Sequence, residues 1–262
     1  MRCVAATALS YNSASSAKPR AERYDPTPSV TTKESSHVSI AAAAPANPTD
    51  AEPLPTLSVV DVACRRGNRL LFKGVSLQVQ SGRAIWLRGR NGRGKTSLLR
   101  LAAGLAAPES GRVLWGDTPV RRAPGFARTL VFIGHANALK DDLTVIEALQ
   151  FLARLHGRAA DNATLDDALQ RLGMATRRDA FVRTLSQGQR RRAALARLAL
   201  ERGASLWILD EPYDALDVDG VQVVNEMLHA HLARGGATLL TSHQAPGPAA
   251  PEMAVFDLDG YA

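Results

Sequence analysis

A chain of 262 residues with 45% hydrophobic and 22% charged side chains has room for one large domain with a substantial core plus extra material, not for two such domains. No stretch approaches the roughly 18 apolar residues that a spanning helix needs, so a link to a membrane is expected to run through a partner. The formal net charge of +7 suits nucleotide phosphates, anionic headgroups or nucleic acid and does not choose among them.

Residues 1 to about 55 are rich in Ser, Thr, Ala and Pro without an apolar period, and they hold five basic and five acidic side chains. They read as a neutral, disordered, dispensable extension. Val4 to Leu9 is too short for a signal-peptide core, and Glu22, Asp25 and Glu34 count against a transit peptide. Cys3 and Cys64 lie in unrelated segments, show no metal or redox spacing and suit a reducing compartment.

From about residue 56 the texture changes. Leu57 to Ala63 and Val75 to Val79 are predicted strands, with Arg65-Arg66-Gly67-Asn68 as the turn between them. Ala84 to Arg88 is a short strand followed by a helical run from Ser97 to Leu105. Arg112 to Trp115 is a further strand with a turn at Gly116-Asp117, and Thr129 to Ile133 is a buried one. Apolar residues at helical spacing predict helices over Thr144 to His156, Thr164 to Leu172 and Gln187 to Arg202. Leu206 to Leu209 is a fully apolar strand, Val218 to Ala233 a helix, Ala237 to Thr241 a strand, and Val255 to Leu258 a last edge strand. His229 and His231 on the predicted helix face different sides and are expected to be solvated. Alternating strands and helices imply an α/β fold with a mostly parallel sheet covered on both faces.

Between the third strand and its helix stands Gly89-Arg90-Asn91-Gly92-Arg93-Gly94-Lys95-Thr96, a phosphate-binding loop pattern. Its glycines let several N–H groups point into one hollow at a helix N-terminus, where an anion belongs. Lys95 is placed to reach the β- and γ-phosphates and the Thr96 hydroxyl to ligate Mg²⁺. Asp210 and Glu211 directly follow a buried strand, at the edge where parallel sheets bind ligands. Asp210 is the expected metal contact, and Glu211 the group that polarises the attacking water. Ser186 followed by Gln189 is a capping box, so Leu185-Ser186-Gln187-Gly188-Gln189 starts a helix whose amides can face an anion.

That last segment resembles the LSGGQ signature, and together with the loop and the carboxylate pair it is similar to the ATP-binding-cassette (ABC) ATPases from about Leu57 onward. The resemblance implies a P-loop NTPase fold of ABC type, with an antiparallel β subdomain and a helical insert at about residues 141–190. It further implies a head-to-tail dimer, in which ATP on Gly89 to Thr96 of one copy is closed over by Ser186, Gln187 and Gly188 of the other. Ala215-Leu216-Asp217 resembles the D-loop at that interface, and His243 the switch histidine of the γ-phosphate. Two positions depart from the pattern. The first hairpin reads Cys64-Arg65-Arg66-Gly67 without an adenine-stacking aromatic, for which an Arg plane can substitute. Gly134-His135-Ala136-Asn137 stands where the family carries a glutamine.

Local details, among them Leu206-Trp207-Ile208-Leu209-Asp210-Glu211-Pro212 and Thr241-Ser242-His243-Gln244, resemble the haem-export ATPases of cytochrome c maturation. That likeness implies membrane transporter subunits as partners and a peripheral place on the cytoplasmic side of the inner membrane. A cassette for another substrate is the nearest alternative. A DNA-repair or ribosomal ABC ATPase is disfavoured by the absence of a coiled-coil interruption and of a second cassette, so no direct nucleic-acid binding is expected. A regulator that binds nucleotide without hydrolysis is disfavoured by Lys95, Asp210, Glu211 and His243.

Overall fold

The computed structural model describes residues 53–158, 160–243 and 245–261. These lie in a compact unit spanning residues 47–262. The expected N-terminal extension falls almost wholly outside the described residues, as do Cys3 and Gln244.

The described chain runs β1 (Leu57–Arg66), β2 (Arg69–Val79), β3 (Ala84–Arg88), α1 (Lys95–Ala102), β4 (Ser110–Trp115) and β5 (Thr118–Pro119). It continues α2 (Phe126–Thr129), β6 (Leu130–Ile133), α3 (Val145–Leu155), α4 (Asn162–Arg171) and α5 (Gln187–Leu195). The last elements are β7 (Leu206–Leu209), α6 (Val218–Ala233), β8 (Ala237–Thr241) and β9 (Ala254–Asp257).

Two sheets result. One is antiparallel in the order β2-β1-β4-β5, and the other has five strands in the order β6-β7-β8-β3-β9, each paired in parallel with its neighbour. The parallel sheet is apolar on both faces, which explains why β7 reads as an unbroken apolar run. Leu206 and Ile208 pack into a core with Leu98, Leu99 and Leu101 of α1. Trp207 and Leu209 pack oppositely, with α3, α4 and Val224, Met227 and Leu228 of α6. In these cores a Leu→Ala change typically costs about 2–5 kcal/mol.

The first hairpin is tighter than the sequence suggests: Arg66 pairs with Arg69 across a two-residue turn, with Gly67 at φ +57°. Its strands therefore extend through residues whose charges stay in solvent. The helix expected over Gln187 to Arg202 also differs, because after Leu195 the backbone tightens into a 3-10 turn over Ala196–Leu200. α4 packs on that turn, and an apolar period does not distinguish the two helix types over so short a stretch.

His231 is a correction of larger consequence. It is fully buried, its ring stacks on Trp207 at 3.7 Å, and its Nε2 faces the Ala237 carbonyl at 3.3 Å. Burial pushes its pKa down to about 4, so the imidazole is neutral. His229 is exposed, as expected. The misreading arose because α6 is clamped between the sheet and the loop at Gly236, where a Cβ would come within 2.2 Å of the His231 ring.

Candidate functional site

The loop between β3 and α1 curls at the carboxyl end of the parallel sheet, and two of its glycines are required by geometry. Gly94 has φ +102°, and a Cβ there would press on the Phe72 ring and on Leu71 Cβ at 3.0–3.1 Å. Gly89 has φ +143°, with Leu258 Cβ 3.3 Å from where its own Cβ would stand. Lys95 is largely buried and spans the loop, its Nζ donating to the Gly89 carbonyl at 2.6 Å and reaching that of Arg90 at 3.5 Å. An ammonium held among loop carbonyls lies close to the hollow it serves.

β7 delivers Asp210 and Glu211 to the same edge. Asp210 Oδ2 accepts from the Thr96 hydroxyl at 2.9 Å, and Oδ1 accepts from the Thr241 hydroxyl, also at 2.9 Å. One carboxylate thus ties the loop to β8. Glu211 adopts φ +54°, an unusual backbone for a non-glycine residue, and its N–H donates to Thr241 Oγ1 at 2.9 Å. Its Oε2 accepts from the His243 N–H at 2.8 Å, and its Oε1 lies 3.6 Å from His243 Nε2. Burial pushes the Glu211 carboxyl up from its ordinary value, while the neighbouring His243 pulls against that rise. A carboxylate with raised proton affinity, aimed by a backbone amide, is suited to accept a proton from water.

These groups line one cleft of about 510 Å³. Arg90, Asn91, Gly92, Gly94, Lys95, Thr96, Asp210, Glu211 and His243 border it, and so do Arg66, Leu71, His135 and Ala136. Gly89 and Arg93 face the rear of the loop instead, where Asp259 stands. The Thr96 hydroxyl and the Asp210 carboxylate are hard oxygen donors that fit a divalent cation. Among the described residues no group of three or more His, Cys, Asp or Glu side chains can hold a metal unaided. A cation here would need phosphate and water oxygens to complete its shell.

Ser186, Gln187, Gly188 and Asp217 are not in the border of that cleft. Ser186 and Gln189 form the expected capping box on α5, and Ser186 and Gln187 are exposed. Gly188 packs so closely on the segment before α6 that a Cβ would stand 2.6 Å from the Ala215 carbonyl oxygen. Asp217 caps α6 through the Gly220 N–H at 2.8 Å, which holds its carboxyl below the usual range, and it also accepts from Arg192.

The sequence reading missed Arg191. Only 3% exposed, it donates to the carbonyls of Asp210 and Glu211 at 2.7 Å each, and to the Gly134 carbonyl and Asn137 Oδ1 at 3.0 Å each. It stands in a run of three arginines, and its helical phase relative to buried Ala194 and Leu195 was the available signal. Around the first hairpin, Arg65 is engaged by Glu109 at 3.1 Å and by the Asn68 carbonyl at 3.0 Å, whereas Arg66 lines the cleft.

Comparison with known proteins agrees with this geometry. Residues 72–214 match the ABC transporter family. The chain is 46% identical over 192 residues to the cytochrome c biogenesis ATP-binding export protein CcmA of Albidiferax ferrireducens, covering 73% of this chain and 91% of that one. It is 46% identical over 209 residues to the CcmA of Aromatoleum aromaticum, covering 79% and 97%. Among solved structures it resembles an ABC transporter (ATP-binding protein) from Pyrococcus furiosus, with a TM-score of 0.68 at 22% identity over 79% of this chain and 99% of that one. Its fold and these relatives agree: the chain belongs to the ABC transporter family, as an ATP-binding and ATP-hydrolysing subunit of the cytochrome c biogenesis export branch.

Proposed function

We propose that this chain powers haem export for c-type cytochrome biogenesis, as the ATPase subunit of a membrane complex on the cytoplasmic side of the inner membrane. Among the described residues no helix is long and apolar enough to cross a membrane, which supports a peripheral place beside integral subunits. The export role named for the relatives, which share 46% of aligned residues, supports the export branch.

In the proposed mechanism the loop amides of residues 89–96 receive the ATP phosphates, and Lys95 exchanges its loop carbonyls for β- and γ-oxygens. Thr96 and Asp210 hold Mg²⁺, which when bound neutralises phosphate charge. Glu211 orients the attacking water and takes up its proton, while His243 steers the Glu211 carboxylate and reaches the γ-phosphate. Ser186, Gln187 and Gly188, with Asp217 beside them, meet the nucleotide of a second copy in a head-to-tail dimer. The exposure of Ser186, Gln187 and Asp217 apart from the cleft of their own chain supports that reading. The proposed division puts the cassette from about residue 56 with its helical insert at about 141–190, and direct nucleic-acid binding is not expected.

The observation that carries the catalytic part is the Glu211 carboxylate, fixed by the His243 N–H at 2.8 Å in the cleft that holds the loop. Complementation of a strain that lacks its own cytochrome c biogenesis ATPase tests the proposal. Wild type is expected to restore haem-stained c-type cytochromes and Glu211→Gln to fail. An active ATPase that restores none would assign the chain to another cargo.

A further inference from the structure

We infer that Asp259 is a positioning residue for nucleotide binding, holding the phosphate loop in place from behind. The inference rests on the assignment of that loop to ATP and adds a residue that neither the loop motif nor the carboxylate pair contains.

The segment is well anchored. β9 runs parallel to β3 with Asp257 opposite Arg88, so the chain leaves β9 beside the point where the loop begins. It then turns as a short 3-10 helix, with Leu258 fully buried in the core and Phe256 stacked on Tyr261 at 5.2 Å. The Asp259 N–H donates to Asp257 Oδ1 at 2.9 Å, which fixes the backbone from which the carboxylate projects.

From there Asp259 takes hold of the loop at two residues. Both of its carboxylate oxygens lie 3.2 Å from the Arg90 amide nitrogen, which donates to them. Oδ2 is 3.5 Å from Arg90 Nε, and Oδ1 is 3.2 Å from Arg93 Nε. Arg93 Nη2 also donates to the Asp259 carbonyl at 3.1 Å. Gly89 passes against the same side chain, for its Cβ would stand 3.6 Å from Asp259 Oδ1. The loop is thus secured just after its first glycine and before its last, while the residues between them border the cleft.

Two effects of removing the carboxylate oppose each other. Loss of a negative charge near an anion site would tighten ATP binding, whereas loss of the tether would leave the loop to order on binding and weaken it. Asp259 is 29% exposed and lies behind the loop, so solvent screens the first effect while the second acts through direct bonds. The tether dominates.

The test uses the full chain as Asp259→Asn and Asp259→Glu, with ATP affinity by calorimetry and with KM and kcat measured in parallel. Asp259→Asn is expected to raise Kd and KM for ATP about tenfold, the scale of one charge-assisted hydrogen bond, with kcat at saturating ATP within about twofold of wild type. Asp259→Glu should recover most of the loss. Amide hydrogen exchange over residues 89–94 should quicken in the nucleotide-free Asn variant. Unchanged or tighter binding by that variant would overturn the inference, as would a fall in kcat at constant KM. Wild type that binds no ATP would instead overturn the assignment of the loop itself.

Discussion

The buried guanidinium of Arg191 grips the carbonyl of Glu211 at 2.7 Å, so the helix that begins at Ser186 and the carboxylate that faces the cleft are fastened by one side chain. The Glu211 backbone at that point has φ +54°. Movement of α5 would therefore be felt at Glu211.

That fastening is testable. Arg191→Lys keeps the charge but cannot serve four acceptors in a fixed fork. Its kcat is expected to fall about 10- to 100-fold with KM little changed, because the alignment of Glu211 is lost and the loop is not. Arg191→Met removes the side-chain donor from the Asp210 carbonyl, whereas the Glu211 carbonyl keeps the Asp214 N–H at 3.1 Å, and it should destabilise the fold by about 1–3 kcal/mol. Steady-state kinetics and thermal unfolding separate the two effects. A Lys variant with wild-type kcat would show the contact to be structural only.

The site variants have distinct signatures. Lys95→Ala should lose most ATP affinity in calorimetry, whereas Glu211→Gln should bind ATP and accumulate as a dimer on size-exclusion chromatography. Asp210→Asn should make turnover require far more Mg²⁺, and a chelator should stop wild-type hydrolysis. Normal turnover by Glu211→Gln would move the base to another residue.

Arg66 is the candidate plane for the adenine, since Arg65 is held by Glu109 and Arg66 lines the cleft. Arg66→Ala is expected to raise KM for ATP about three- to tenfold, and Arg66→Tyr to restore it, the scale of one stacking or cation-π contact. Equal KM values for all three would leave adenine unstacked by this hairpin.

His231 predicts an acid-sensitive fold. Its pKa falls from 6.5 to about 4 on burial, so the unfolded chain binds the proton more readily than the native one. The stability that this neutral ring contributes is complete above pH 6.5 and is lost as pH falls from 6.5 toward 4, on the order of 3 kcal/mol. Urea midpoints at pH 7.5 and 4.5 should draw together in His231→Phe, which preserves the stack on Trp207. An unchanged gap between them would place the acid sensitivity elsewhere.

How legible the molecule was in its sequence depended on whether the signal was local. The phosphate loop, the carboxylates after β7 and the capping box at Ser186 are each written in a few adjacent residues, and each stands in its expected element. The edge strand β9 was visible for the same reason. Arg191, His231 and Asp259 were not, because their partners are far away in sequence: Gly134 and Asn137 for Arg191, Trp207 for His231, Arg90 and Arg93 for Asp259. A polar residue on a helix reads as solvated until the sheet beneath it is known. The hairpin was misjudged by a different route, since charged residues at its tip mimic a loop while still pairing as strand.

The pairing of β3 with β8 and β9 also bears on how the protein is made. At roughly 5–20 residues per second on the ribosome, β3 emerges on the order of ten seconds before the strands that flank it. Until Ala237–Thr241 and Ala254–Asp257 arrive, the strand that carries the loop has neither of its neighbours, although β1 and β2 can already pair. Competence to bind nucleotide is thus postponed to a late stage of translation, and a nascent chain stalled before β8 should be unable to hold ATP.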